Sequence, residues 1–367
     1  MRSGSSRRFR RLDVSDERNR DVTERARRPG SGGEMSVWIW VVVLLVAVYA
    51  AHWGSEHLAD PFKKVRRQWG ISAAAGGSLI GIATASPEVG INITSAVRDA
   101  SGIGLGAVLG STVIGIPTLV TIGYLATRKR DLPNDPGHDR HLQEHLLRVD
   151  PAAVGVQALP YLGILVLLAV LTLPAAWRGL QPIDGWLLFA AYIAYLAQAF
   201  LRGRGEGEQV DWSKREIWLA VAGVLVLALG AYFTVIATQN IVKALGISAI
   251  VGGLFITAPV AALPEAFAAW TVARSGQITP ALTNIIGDHA MAVTVGFLPL
   301  ALVGTSIENF HLFWVSFVFV ALMPVLYAAF IRWGGSEPGF RRWQVFALVG
   351  TYVVYVLIVL FWVLKVF

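Results

Sequence analysis

Two apolar segments of this 367-residue chain share one local sequence: GISAAAGGSLIGIATASPE (Gly70–Glu88) and GISAIVGGLFITAPVAALPE (Gly246–Glu265). Each segment ends in a Pro-Glu pair inside an apolar run long enough to cross a membrane. A carboxylate at bilayer depth is costly unless it meets a cation, a proton or water, so each glutamate indicates a functional site. The match continues, because the pairs at 110–111 (Gly-Ser) and 287–288 (Gly-Asp) lie 22 and 23 residues after their glutamates. An internal repeat of this kind is typical of secondary transporters.

The composition predicts an all-α polytopic membrane protein. Hydrophobic residues make up 55% of the chain, charged residues 15%, and the mean hydropathy is +0.57, which is unlike a soluble domain. The charges cluster, and apolar stretches of about 18 residues or more separate the clusters. We predict ten transmembrane helices, at about 36–53, 70–97, 103–127, 151–174, 182–201, 215–240, 246–273, 279–304, 309–331 and 342–365.

The ten helices are expected to form two repeats of five. An odd number of spans per repeat places the two repeats in opposite orientations across the membrane, as inverted repeats. The spans at 70–97 and 246–273 contain a Gly-Gly pair and then Pro87 or Pro264. Because proline lacks an N–H and clashes with the preceding turn, each helix is expected to break there and to turn free backbone carbonyls toward an ion site.

The predicted organisation has four parts. Residues 1–34 form a basic tail with ten arginines and few aliphatic residues, which is expected to be disordered. The first repeat spans 36–201, a linker loop spans 202–214, and the second repeat spans 215–367. Met35 opens the apolar part, and it is an alternative translation start that would leave the tail untranslated.

The charges predict partners and orientation. The net charge of +7 is attributed to membrane orientation and lipid head groups, and no nucleic-acid partner is expected. Outside the tail, Lys and Arg concentrate in the loops around 54–69, 128–150 and 202–214, which predicts that both termini lie outside. The expected location is a prokaryotic plasma membrane, as a multi-pass integral protein, and the expected partners are inorganic cations and the lipid bilayer; the sequence does not determine the oligomeric state. The absence of cysteine excludes disulfides and thiolate metal sites.

The two segments resemble the α-repeats of the cation/calcium antiporter superfamily, which includes the sodium/calcium exchangers. The family repeat has a Gly-Thr-Ser-Leu-Pro-Glu core, followed by Gly-Asn-x-x-Gly-Ser, with an asparagine or aspartate four residues past that serine. The chain matches it with residues 84–88 and 106–111 in the first repeat, and with residues 261–265 and 283–288 in the second. The resemblance implies a cation antiporter, not an enzyme, that binds its transported cation transiently and has no resident cofactor.

The resemblance also implies a set of ligands. Glu88, Glu265 and Asp288 are the expected ligands of the metal cation, with Ser111 and either Thr84 or Ser86 as hydroxyl ligands. Asn284 and Asn92 are expected next to these ligands, where they would brace the site or line the path of the ion. Structural alternatives are a hydrogen-bonded role for the glutamates and a helix-capping role for Asp288. The chain departs from the family pattern at four positions where the pattern offers oxygen, which are Ala261, Ala262, Gly115 and Ala292, and it has Asp288 where the second repeat of the pattern has serine.

These residues still suit a cation. Calcium takes six to eight oxygen ligands from carboxylates, hydroxyls and carbonyls. Three neighbouring acids cannot all be ionised without a cation, so we expect at least one to take up a proton. The expected function is exchange of calcium against protons or sodium by alternating access. The alternatives are a monovalent cation/proton exchanger and a non-transporting membrane scaffold or sensor with a degenerate site.

Overall fold

The fold is known from a computed structural model and is almost entirely helical. The predicted basic tail at 1–34 and part of the predicted linker at 202–214 lie outside the described residues. The structure describes residues 36–71, 73–128, 132, 138–152, 154–202, 205–335 and 337–365.

The described residues of the first half of the chain form seven α-helices. A π-helical turn at Val154–Ala158 precedes α6, and a 3-10 turn at Ala175–Trp177 follows it. The helices are α1 (Val37–Gln68), α2 (Ala73–Thr84), α3 (Ser86–Val97), α4 (Ser101–Ala126), α5 (His138–Gln143), α6 (Leu159–Thr172) and α7 (Pro182–Arg202).

The second half repeats this layout. A π-helical turn at Gly253–Thr257 joins α9 to α10, and a second one at Ile358–Val363 ends the last helix. The two short strands β1 (Leu146–Arg148) and β2 (Gly339–Arg341) pair antiparallel. The helices are α8 (Lys214–Leu245), α9 (Ala249–Gly252), α10 (Ala258–Arg274), α11 (Ile278–Ala292), α12 (Phe297–Leu302), α13 (Phe310–Trp333) and α14 (Arg342–Leu357).

The prediction of an all-α polytopic membrane protein is confirmed. Within the described part of the chain, nine helical segments are long and apolar enough to cross a membrane. The predicted span at 70–97 makes the tenth crossing as two 12-residue helices, α2 and α3, with Ala85 between them. Each of these is too short to span a bilayer alone.

The two repeats differ in where the helix is interrupted. The first breaks at Ala85, just before the Pro-Glu pair, as predicted. The break predicted at Pro264 is wrong in position, because α10 continues through this proline as an α-helix. The regular pattern is interrupted upstream instead, at the π-helical turn Gly253–Thr257. Proline is tolerated inside a membrane helix when neighbouring groups or water satisfy the carbonyl that it leaves free.

Each repeat segment starts with a glycine that ends the preceding helix. Gly70 has φ 64° and Gly246 has φ 65°, which is a left-handed conformation that favours glycine. At both positions the chain leaves a 32-residue helix, α1 or α8. The GIS sequence common to the two segments therefore marks the same turn in each repeat.

Close contacts between the repeats show that they are inverted. A Cβ on Gly223 would lie 2.7 Å from the Gly54 carbonyl oxygen, and a Cβ on Gly230 would lie 2.6 Å from the Ala47 carbonyl oxygen. As the residue number increases along α1, from 47 to 54, the number of the contacting residue in α8 decreases, from 230 to 223. These two helices therefore run antiparallel. Counted back from their Gly-Gly pairs, residues 54 and 230 are equivalent, as are 47 and 223. Each contact is thus the image of the other about a pseudo-two-fold axis, and small residues permit the close approach.

The same axis relates the helices around the glutamates. A Cβ on Gly81 would lie 2.6 Å from the Gly287 carbonyl carbon, and one on Gly110 would lie 2.6 Å from the Ala258 Cβ. Gly81 and Ala258 each precede their glutamate by seven residues, and Gly110 and Gly287 each follow it by 22. Helix α2 therefore packs on α11 as α10 packs on α4. This crossing brings both Pro-Glu segments to the centre of the bundle.

The helix order defines two membrane faces. The terminal face carries the start of α1 and the turns at 98–100, 246–248 and 303–309. The basic face carries the end of α1 and the turns at 275–277 and 334–341. These two names are used below.

Candidate functional site

The three predicted acids meet at the centre of the molecule. Carboxylate oxygens of Glu88, Glu265 and Asp288 all lie within 4.8 Å of one another. Glu88 lies in the first turn of α3, just after the break, Glu265 follows Pro264 in α10, and Asp288 belongs to α11. The arrangement joins both repeats in one cluster of carboxylates. Such a cluster is stable in an apolar surrounding only when cations or protons offset its charge.

The acids are buried and only partly hydrogen-bonded. Glu88 and Asp288 are each 3% exposed, while Glu265 is half-buried. Glu88 Oε2 and Asp288 Oδ1 have no hydrogen-bond partner. A purely structural role would leave these oxygens paired, so both are available to a ligand. Asp288 is the eleventh residue of the 15-residue α11, which excludes the capping alternative.

Of the two alternative hydroxyl ligands just before Pro87, Thr84 is at the site. Its side chain lines the cavity that Glu265 and Asp288 also line. Asn284 Nδ2 donates to Thr84 Oγ1 at 3.3 Å, and Asn284 lines the same cavity with Oδ1 unpartnered. Thr84 and Asn284 thus add neutral oxygens beside the carboxylates.

The other three predicted residues do not line the site cavities. Ser86 Oγ donates to the Ile82 carbonyl at 2.6 Å, and Ser111 Oγ donates to the Val108 carbonyl at 3.2 Å. The Ser86 hydroxyl therefore satisfies a carbonyl of the preceding helix, α2, and the Ser111 hydroxyl satisfies one of its own helix, α4, as serine often does in apolar surroundings. Asn92 Nδ2 donates to the Gly296 carbonyl at 2.9 Å, which ties α3 to the turn after α11. Asn92 therefore braces the helices.

Two cavities meet at the acids. A small one of about 20 Å³ is lined by Glu88, Glu265 and Thr84, and this volume exceeds the roughly 10–15 Å³ that one water requires. A large one of about 1050 Å³ contacts Glu265, Asp288 and Thr84 and reaches the end of α1 at the basic face, where Arg66 and Arg67 line it. A water-accessible path thus leads from the basic face to the carboxylates.

Two residues of this site escaped the sequence analysis. His52 of α1 lines both cavities, and its Nε2 lies 3.3 Å from Glu56 Oε1. Thr234 of α8 lines the small cavity. Polar side chains inside the apolar runs of α1 and α8 were the available signal, but these helices lie outside the Pro-Glu segments.

One departure from the family pattern has a structural counterpart. Gly115 stands where the family repeat carries an amide or carboxylate. A Cβ on Gly115 would lie 2.6 Å from His289 Nε2 and 2.9 Å from Ile285 Cδ1. The buried His289 ring, next in sequence to Asp288, therefore occupies space that a side chain at 115 would need. The glycine at 115 therefore fits the histidine that follows Asp288.

Comparisons with known proteins agree with this architecture. The sequence profile described as sodium/calcium exchanger protein matches residues 39–201 and 215–361. The chain is 24% identical over 332 residues to an uncharacterized membrane protein of Methanocaldococcus jannaschii, covering 87% of this chain and 96% of that one. It is 25% identical over 355 residues to the sodium/calcium exchanger MaX1 of Methanosarcina acetivorans, covering 88% and 99%.

The fold also has a counterpart of known structure. The sodium-calcium exchanger NCX_Mj, in crystals soaked with Na⁺ and Sr²⁺, superposes with a TM-score of 0.60 at 21% sequence identity. The match covers 88% of this chain and 98% of the other. At this identity the likeness concerns the fold.

Proposed function

We propose that this chain, which belongs to the sodium/calcium exchanger family, exchanges Ca²⁺ against protons by alternating access. The family is one of cation antiporters, and its members are transporters rather than enzymes. The observation that supports calcium/proton exchange is the cluster of three carboxylates within 4.8 Å at the inner end of a wide cavity.

A divalent cation suits this cluster. Calcium prefers several oxygen ligands, including carboxylates and carbonyls, in a flexible arrangement. The three acids supply the charge, and Thr84 and Asn284 supply neutral oxygen. Because Pro87 and Pro264 have no N–H, the carbonyls four residues before them lack their usual helical partner. The later of these belongs to Val260, which lines the large cavity.

We infer proton coupling from the neutral oxygen ligands that the cluster lacks. When the cation leaves, three close buried carboxylates remain, and repulsion among them requires a replacement charge. A proton needs a single carboxylate oxygen, whereas sodium needs a shell of oxygens. That shell is depleted, because alanines at 261 and 262 replace the hydroxyl residues of the family repeat and the small cavity is lined there by Ala261. Protons are therefore the favoured counter-ion.

The cavities support alternating access. The large cavity reaches the acids from the basic face, whereas on the terminal face α3 packs against α8. We place the basic face in the cytoplasm of a prokaryotic plasma membrane, because loops rich in Lys and Arg favour that side.

The test is calcium uptake into proteoliposomes that contain the purified protein. A pH gradient imposed without sodium should drive calcium uptake, and a sodium gradient at equal pH should not. Calcium binding should weaken as the pH falls, because protons compete for the same carboxylates. Transport that requires sodium at every pH would contradict proton coupling but would keep calcium antiport. Vesicles with the Glu88→Gln variant provide the matched control for leakage.

A monovalent cation/proton exchanger is the second candidate, because the loss of neutral ligands at Ala261 and Gly115 also removes oxygens that calcium selectivity requires. In the same vesicles, this function would appear as sodium- or potassium-driven proton movement without calcium. If no ion gradient produced flux, the scaffold or sensor alternative would replace both.

A further inference from the structure

The two membrane faces differ at equivalent positions. On the terminal face a Cβ on Gly90 of α3 would lie 2.8 Å from the Ala231 Cβ of α8. Ile91 and Val235 of the same helices belong to one buried apolar cluster. This face of the site is therefore closed by direct packing of α3 on α8.

The residues at the equivalent positions of the other repeat line the large cavity. Counted from the Gly-Gly pairs and the glutamates, Ala268 is the equivalent of Ile91, and Ala59 is the equivalent of Val235. Both alanines line the large cavity at the basic face. Phe267, the equivalent of Gly90, lines it as well and is 73% exposed. On the basic face, the helix contact that closes the terminal face is absent, and the large cavity lies in its place.

Arg98 adds polar contacts across the closed face. It lies at the end of α3, and its Nε donates to Gln239 Oε1 of α8 at 3.1 Å. A second guanidinium nitrogen donates to the Tyr232 hydroxyl at 3.3 Å, and the guanidinium carbon lies 5.4 Å from the centre of the Tyr232 ring. One side chain therefore joins α3 to two turns of α8.

The equivalents of these partners are charged and pair within their own helix. Glu56 is the equivalent of Tyr232, and it contacts His52 of the same helix, α1. Lys63 is the equivalent of Gln239, and its Nζ lies 2.9 Å from Asp60. Arg274 ends α10, one position before the equivalent of Arg98, and lies over the Trp270 ring of its own helix at 5.6 Å.

We propose that Arg98 is a positioning residue that holds the terminal face closed in this conformation, and that Arg274 takes its role at the basic face in the opposite conformation by pairing with Glu56. The proposal rests on the alternating access proposed above. Pseudo-two-fold symmetry supports it, because closing the basic face as the terminal face is now closed brings the end of α10 onto α1 near Glu56. An exposed contact of this kind changes a two-state ratio by about two- to fivefold, so Arg98 shifts the population of conformations without determining the fold.

Single-cysteine reporters test the proposal in a chain that has no cysteine of its own. Val235→Cys reports opening of the terminal face, and Ala268→Cys reports opening of the basic face. Each variant is placed in lipid nanodiscs, where both faces are accessible, and reacted with a polar maleimide. Adding Arg98→Ala should raise the labelling rate at 235 and lower it at 268, so that the ratio of the two rates changes by about two- to fivefold. Adding Arg274→Ala should shift both rates in the opposite directions.

Arg178→Ala is the matched control, because this arginine lies over the Phe310 ring, at 3.5 Å, on the terminal face but away from α3 and α8. It should leave both labelling rates unchanged. If Arg98→Ala leaves both rates unchanged, or raises both together as a general loosening would, Arg98 does not hold this face. If calcium and pH shift the two rates in opposite directions while Arg98→Ala does not, alternating access survives and only the role of Arg98 is lost. If no condition shifts them in opposite directions, both proposals fail.

Discussion

The two Pro-Glu segments share a sequence pattern but have different structures. In the first, the helix breaks at Ala85, and the buried Glu88 lies in the first turn of the next helix, α3. In the second, α10 continues through Pro264, and the half-buried Glu265 lies in the cavity wall. Proline permits an interruption, but the surroundings decide whether one forms. The carbonyl that Pro264 leaves without a partner belongs to Val260, which lines a cavity wide enough for water to satisfy it.

The largest expected effect tests what the two segments share. Glu88→Gln and Glu265→Gln should each reduce calcium exchange to background, because a neutral amide removes both a charged ligand and a proton site. Flux into proteoliposomes is the measurement. Glu308→Gln, at an exposed position on the terminal face, should transport normally. Near-normal flux in either site variant would remove that glutamate from the mechanism.

The next prediction concerns the acid that only one repeat has. Asp288→Ser makes the second repeat resemble the first, which has Ser111 at the equivalent position. Calcium affinity should fall roughly tenfold, or about 1.4 kcal/mol, since one of three charged ligands is lost. Titration calorimetry at constant pH measures it, with circular dichroism to show that the helices persist. Unchanged affinity and ion preference would mean that Asp288 does not bind the cation.

A smaller effect is expected from the hydroxyl that distinguishes the two segments. Thr84 and Ala261 are equivalent positions, and both line the small cavity. Thr84→Ala should weaken calcium binding by about threefold, and Ala261→Thr should strengthen sodium binding by a similar factor, because one neutral ligand is worth about 0.5–1.5 kcal/mol. Competition between the two ions is the measurement. Thr351→Ala is the control, since this hydroxyl bonds within α14. Equal behaviour of all three variants would show that the site does not use these oxygens.

The last prediction separates the two prolines. Pro264→Ala supplies an N–H for the Val260 carbonyl and should raise stability by about 1 kcal/mol. Pro87→Ala should change stability little, because Pro87 lies in the first turn of α3, where an N–H has no helical partner. Thermal unfolding in detergent compares them. Equal shifts in Tm would show that proline position does not account for the difference between the segments.

Much of the fold could be predicted from residues alone. Apolar runs separated by charges indicate the crossings, because a bilayer excludes unpaired charge and demands a minimum helix length. The duplicated Pro-Glu pairs and the glycines 22 residues beyond them indicate the repeat, and the odd number of spans in each predicts the inversion. Glu88, Glu265 and Asp288 could be singled out because a carboxylate inside an apolar run has few structural roles.

The choice among neighbouring residues depended on packing. Sequence left Thr84 and Ser86 equal, and the structure places only Thr84 at the cavity, whereas the Ser86 hydroxyl donates to the Ile82 carbonyl of α2. Ser111 likewise satisfies the carbonyl of Val108. His52 and Thr234 reach the site only because α1 and α8 cross near it. The partner of a polar group is set by helices far apart in sequence.

The sequence by itself determined the number of crossings, the inverted duplication and the three acids, because these follow from hydropathy, spacing and the cost of burying charge. Tertiary structure decided which face is open, where the second helix is interrupted and which side chain takes the space at Gly115. These depend on how closely two helix backbones approach and on whether a free carbonyl meets water or protein. Local residue patterns do not encode either quantity, because both arise only when the two repeats pack against each other.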